Sequence, residues 1–109
     1  MAELENEQIP QLSIATTVEP DGQAVVALSG ELDASNAPSL ESAVSSIAGK
    51  QPERLIFDMS DLRFMDSAGI AVLIGAAAQV GDVRLRNPSR IVRRVVEVTG
   101  LTTVLPFEG

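Results

Sequence analysis

Between Leu55 and Ala77 the chain reads LIFDMSDLRFMDSAGIAVLIGAA. The residues able to do chemistry gather in its middle: Asp58, Asp61, Arg63, Asp66 and Ser67, with Phe64 and Met65 among them. A serine in that place can act as a nucleophile, as a helix cap, or as the acceptor of a charged group. Nucleophilic use needs an adjacent base, ordinarily histidine. The chain has no histidine, and its one lysine, Lys50, stands outside any Ser-x-x-Lys spacing. The sequence Asp66-Ser67-Ala68-Gly69 also departs from the G-x-S-x-G elbow. Serine catalysis is therefore unsupported.

The acids offer a second chemistry. Asp58, Asp61 and Asp66 are expected around a strand end, where ligands bind in α/β sheets. Such a cluster could hold magnesium, or Asp58 could accept a phosphoryl group as in a receiver-type domain. A receiver also wants an acidic pair after its first strand and a lysine on a later strand. Here a lone Glu19 ends the first strand, and Lys50 precedes Asp58. The competing reading makes these acids solvated turn residues or helix caps. Neither G-x-x-x-x-G-K nor G-x-G-x-x-G is present, so no nucleotide fingerprint is supported. Ser67, with Asp66 sharing the role, fits an N-cap. Arg63, Phe64 and Met65 read as a short connection near the surface. Exposed Phe and Met beside Arg suit a protein-binding hot spot; the alternative is packing of the loop onto the core.

The bulk numbers bound these readings. The chain of 109 residues is one domain in size, 45% hydrophobic, with only Phe57, Phe64 and Phe107 aromatic, so its core must be aliphatic. A net charge of -7 opposes nonspecific nucleic-acid binding. Five of the eight bases (Arg84, Arg86, Arg90, Arg93, Arg94) fall in one short segment. The absence of cysteine removes disulfides and thiolate chemistry and fits a reducing cytoplasm. The acidic start, MAELENEQIP, does not read as a secretory signal. The longest near-apolar run, Ala68 to Ala78, is about half a membrane span. A soluble, cytoplasmic protein is expected, with no membrane and no nucleic-acid partner.

These residues need elements to position them. Residues 1–10 read as a flexible arm. LSIATTVE alternates as a half-buried strand, Pro20-Asp21-Gly22 is a turn, and QAVVALSGEL is a more apolar strand, giving a hairpin. Asp33, Ser35 or Asn36 can cap a helix carrying Leu40, Val44 and Ile47, ended by Gly49. RLIFDM is a buried strand, SAGIAVLIGAAAQVG a helix apolar nearly all round, and DVRLRN a strand. After Pro88, SRIVRRVVEVTG is an amphipathic helix, with Ile91, Val95 and Val98 on its apolar face. Its arginines are either a solvated face or a site for an acidic partner. TTVLPFE closes the chain. The order β-β-α-β-α-β-α-(β) predicts a single small α/β domain, with a mixed four- to five-stranded sheet covered by helices.

FDMSDLRFMDSAGIAVLIGA resembles the signature of the STAS family, in particular the bacterial anti-sigma factor antagonists, and LSGELD (Leu28 to Asp33) resembles that family's second motif. The resemblance covers nearly the whole chain. It implies a phosphoprotein without enzymatic activity or cofactor. It implies that Ser67 is phosphorylated by a partner anti-sigma factor with serine kinase activity and restored by a serine phosphatase. Asp33 matches an aspartate near that serine, Asp66 the acid before it, and Gly69 the glycine of the first turn. Partner binding is expected at Asp33, Ser35, Arg63, Phe64, Met65, Asp66, Ser67, Ala68, Gly69 and Ile70. Ala68 stands where many relatives have a second serine. The unmodified protein would sequester the anti-sigma factor and free a sigma factor for transcription, in stress response by partner switching. STAS domains also serve as constitutive subunits of stress-sensing assemblies, as transporter-associated domains and in lipid trafficking, with the serine then only a cap.

Overall fold

The structure, a computed structural model, describes residues 11–108, so the expected arm at residues 1–10 lies outside the described residues. Seven elements follow in order: β1 (Leu12–Val18), β2 (Gln23–Leu32), α1 (Ala37–Ala48), β3 (Arg54–Met65), α2 (Ser67–Val80), β4 (Val83–Arg86) and α3 (Arg90–Val98). The hairpin forms as its turn chemistry dictates. Gly22 takes φ +90, and the Asp21 carboxylate accepts the Gln23 backbone N–H at 3.1 Å and its side-chain amide at 2.8 Å.

The sheet runs β1-β2-β3-β4. The first pair is antiparallel, and β2, β3 and β4 are parallel, so the sheet is mixed. Parallel neighbours require crossovers, and α1 and α2 supply them. In register, Ala24, Leu55 and Val83 stand side by side, as do Val26, Phe57 and Leu85. These alternate residues pack with Leu40, Val44 and Ile47 of α1, with Ile70, Leu73 and Ala76 of α2, and with Val92 and Val96 of α3 into one aliphatic core around Phe57. The expected final strand is reduced to a single parallel bridge, Leu85 with Phe107. Leu85 donates to the Pro106 carbonyl at 2.9 Å and accepts from Glu108 N–H at 2.8 Å. Among the described residues no helix is long and apolar enough to cross a membrane.

Two expectations change. First, β3 does not end at Met59 but continues to Met65, so Arg63, Phe64 and Met65 are strand residues rather than a loop. Two irregularities in its pairing with β2 explain the disguise. Ala27 and Ser29 pair with Asp58 and Asp61, and Gly30 and Glu31 with Leu62 and Phe64. Each inserts one extra residue into β3, as a β-bulge does, and breaks the period of two that marks a strand. Second, α3 is rotated: Val92 and Val96 enter the core, while Ile91 and Val98 are exposed. Ser89 sets the start of this helix, its hydroxyl accepting the Val92 N–H at 3.2 Å. Gly49 ends α1 as expected, at φ -63, and the left-handed turn falls two residues later at Gln51.

Gly30, within the LSGELD stretch, is a position only glycine fits. Its φ is +106, and a Cβ there would lie 2.1 Å from the Gln11 carbonyl oxygen. That carbonyl accepts the Glu31 N–H at 2.8 Å, so backbone meets backbone where β2 approaches its end. Gly30→Ala is expected to destabilise by more than about 1 kcal/mol. Urea denaturation should show a clearly lowered midpoint; an unchanged midpoint would contradict the close approach.

Candidate functional site

The site forms where two parallel strands stop together. Leu32 ends β2 beside Met65, which ends β3. The Asp66 N–H donates to the Leu32 carbonyl at 3.2 Å, tying the residue after β3 to the last of β2. Asp33 and Asp66 therefore leave the sheet at the same end of its two central strands. Gly69 fits the first turn of α2 against this pair of strand ends. A Cβ on Gly69 would lie 2.7 Å from Leu32 Cδ2 and from Met65 Cγ.

Asp66 is the N-cap of α2. Its Oδ1 accepts the N–H groups of Ala68 at 2.9 Å and Gly69 at 3.3 Å. Ser67 is the first helical residue and is exposed. Among the described residues its hydroxyl has no hydrogen-bond partner. The cap is thus Asp66 alone, not shared with Ser67. A serine that does not cap its helix has a hydroxyl available to other molecules.

Asp33 is held in a turn of its own. Its Oδ1 accepts the Ser35 hydroxyl at 2.6 Å and the Ser35 N–H at 2.9 Å. The Ser35 hydroxyl, and then its N–H, hold the Asp33 carboxyl below the usual carboxylate range. Asn36 occupies the N-cap position of α1 without capping it. Its side chain instead accepts the Asp33 N–H and donates to the Glu31 carbonyl, both at 2.9 Å. Sequence reasoning missed this stapling role; Asn36 three residues after Asp33 was its only trace.

The bulged end of β3 sorts the neighbouring side chains. Phe64 is 43% exposed, whereas Met65 is 1% exposed and belongs to the core. Met65, expected as an exposed partner contact, instead supports Gly69 from beneath. Gly69 and Ile70 are likewise buried and shape the turn rather than present themselves. Arg63, Phe64, Ser67 and Ser35 are exposed, and Asp33, Asp66 and Ala68 are half-buried. Arg63 lies 3.7 Å from Glu31, a second rim residue the sequence reading passed over. So exposed a pair contributes little to stability.

Helix α2 adds an unexpected surface. It is apolar nearly all round, yet only Gly69, Ile70, Leu73 and Ala76 are buried. Ala71, Ile74 and Ala78, following Ser67 at helical spacing, are exposed. An apolar strip therefore runs down α2 from Ser67.

The acids do not converge. Asp58 lies mid-strand, paired with Ala27 and Arg86, separated from Asp66 by roughly 20–25 Å of strand. Its Oδ1 accepts the Ser60 hydroxyl at 2.7 Å. That hydroxyl foremost, with the Ser60 N–H and the Arg86 charge, holds its carboxyl below the usual range against the opposing effect of burial. Among the described residues no three acids gather as metal ligands would. The expected cluster of Asp58, Asp61 and Asp66 is corrected by the length of β3.

A mixed four-stranded sheet and three helices, with an exposed serine at the mouth of the second, define a small α/β domain. The STAS domain model matches residues 14–108, and the chain belongs to that family. It is 32% identical over 98 residues to the anti-sigma-F factor antagonist RsfA of Mycobacterium tuberculosis, covering 84% of this chain and 77% of that protein. The crystal structure of an anti-sigma factor antagonist from Mycobacterium paratuberculosis superposes with a TM-score of 0.81 at 28% identity, covering 88% of this chain and 84% of that one. The phosphorylated form of the Bacillus cell fate determinant SpoIIAA shares the fold, with a TM-score of 0.69 at 22% identity, covering 89% of this chain and 92% of that one. The first two of these bear the name anti-sigma factor antagonist, as the motif resemblance implied.

The assignment of the cap separates two neighbouring residues. Asp66→Ala should cost about 1 kcal/mol of stability through loss of an N-cap. Ser67→Ala should stay within about 0.5 kcal/mol, as an exposed substitution free of such features does. Paired urea denaturation checks this; the reverse order would place the cap on Ser67.

Proposed function

We propose that the chain is an anti-sigma factor antagonist whose binding is switched at Ser67. The observation that carries this reading is the free Ser67 hydroxyl, exposed at the first helical position while Asp66 does the capping. The partner is an anti-sigma factor with serine kinase activity. Its nucleoside triphosphate donates the terminal phosphoryl group. A bond forms between Ser67 Oγ and phosphorus, the hydroxyl proton is lost, and the nucleoside diphosphate leaves. A serine phosphatase reverses the step with water. The chain itself supplies the acceptor and the docking surface and performs no catalysis.

The electrostatics favour a change of surface over a change of fold. Phosphorylation adds roughly -1.5 to -2 charges at neutral pH. The helix dipole tolerates an anion at this end. The Ala68 and Gly69 N–H groups are already engaged by Asp66, so the phosphate is not needed by, and does not compete for, the fold. It joins Asp33 and Asp66 on a rim that is already acidic. A partner seated on Phe64, Ser67 and the strip of Ala71, Ile74 and Ala78 would have to desolvate that charge. An unpaired buried charge costs several kcal/mol, and about 4 kcal/mol is a thousandfold in affinity. Unmodified protein binds and sequesters the anti-sigma factor, which frees a sigma factor. Phosphorylated protein releases it.

Arg63, Asp33 and Ser35 form the polar border of this surface, and Ala68 its floor beside the serine. Met65, Gly69 and Ile70 act from below by fixing the first turn. Titration calorimetry with the purified anti-sigma factor kinase tests the assignment. Ser67→Ala should bind like unmodified wild type and never release. Ser67→Glu should bind at least tenfold more weakly. Ile74→Glu, remote from the phosphate acceptor, should weaken binding to a similar degree without changing the urea midpoint. Equal affinity for Ser67→Ala and Ser67→Glu would instead mark a constitutive interaction subunit of a larger complex.

A further inference from the structure

Helix α3 turns a different surface outward from the one its periodicity suggested. Val92 and Val96 enter the core, while Ile91 is 58% and Val98 67% exposed. At 3.6 residues per turn, Ile91, Val95 and Val98 form a stripe about 110° around the helix from those core residues, with Val95 half-buried against the core at its inner edge. Their i, i+4, i+7 spacing is that by which one helix seats against another. Arg90, Ile91, Arg93, Arg94, Val95 and Glu97 line a shallow groove of about 520 Å³ along it.

Charge indicates the occupant. Arg54 and Arg84 are each 3.1 Å from Asp82, and Arg86 is bonded to Glu108. Arg93 is held 4.2 Å over the Phe107 ring. Arg90 and Arg94 are exposed and, among the described residues, have no acidic partner within ion-pair distance. Against these arginines α3 carries one acid, Glu97, so the helix is locally positive beside its apolar stripe in a chain of net charge -7. A second copy is a poor fit, because among the described residues its helices offer a single acid in α1, Glu41, a single acid in α3, Glu97, and none in α2.

We propose that α3 docks an acidic helical segment of a second protein, with apolar residues on the stripe and carboxylates on Arg90 and Arg94. This surface is separate from the Ser67 end. β4 ends at Arg86, level with Asp58, seven positions before Met65 on β3. Phe107 then returns parallel to Leu85, so α3 runs antiparallel to β4, away from Ser67. A protein held here can stay bound while the Ser67 end exchanges its own partner.

A photoreactive amino acid placed at Val98, in the full chain in its own cells, tests this. The cross-linked peptide is mapped by mass spectrometry in wild type, in Arg90→Glu/Arg94→Glu, and in Ser67→Ala and Ser67→Glu backgrounds. The expected result is a cross-link to a net-acidic segment of another protein, with apolar residues at helical spacing. It should fall at least tenfold in the double charge reversal and persist in both Ser67 backgrounds. A cross-link to this chain itself, to a neutral or basic segment, one indifferent to the charge reversal, or none at all would overturn the proposal. None of those outcomes alters the affinity difference expected from the Ser67 variants, so failure here is distinguishable from failure of the switch.

Discussion

The joint termination of β2 and β3 sets almost everything that matters at the site. Leu32 and Met65 stand side by side in parallel register, and one hydrogen bond, Asp66 N–H to the Leu32 carbonyl at 3.2 Å, locks the exit of the second strand to the last residue of the first. Gly69 then fits against both side chains, closer than any Cβ would allow. With the first turn pinned from below, its orientation is fixed before any partner arrives. Burial of Met65 and Ile70 is the energetic cause, since each removes a large apolar side chain from water. A pre-set surface binds without first ordering itself.

That constraint divides the labour between adjacent residues. Asp66, extended at φ -106, can reach back over the free N–H groups of the turn. Ser67, one step later and already helical, points its hydroxyl elsewhere. Helix stability and chemical availability thus rest on different side chains. Adding charge to the second need not unravel what the first secures. The same division holds at Asp33, whose carboxylate is occupied by Ser35, while Asn36 binds the backbone around it.

Much of this was legible in the sequence, for identifiable reasons. Pro20-Asp21-Gly22 could only turn, the Leu40, Val44 and Ile47 spacing could only bury one helix face, and the D-S-A-G signature carried the family. The failures share a different cause. Alternation marks a strand, and two inserted residues in β3 erased it after Met59, so Arg63, Phe64 and Met65 read as a loop. The displaced strand end then misplaced Asp58 among the site acids. In α3, two sets of apolar residues compete at helical spacing, Ile91-Val95-Val98 and Val92-Val96. Periodicity identifies a helix but cannot choose between two such faces; burial of Val92 and Val96 in the shared core does. The α2 strip was invisible because a helix apolar nearly all round reads as wholly buried. Here its exposed residues are mostly alanines, small enough to face water at little cost.

The central claim is that Ser67 is the place where this protein's state is written. Peptide mass mapping of the protein taken from its own cells, before and after stress, tests it most directly. The account predicts a single phosphate on Ser67 with an occupancy that shifts between conditions. Ser67 unmodified in every condition would contradict it, and would leave the fold serving an unregulated interaction.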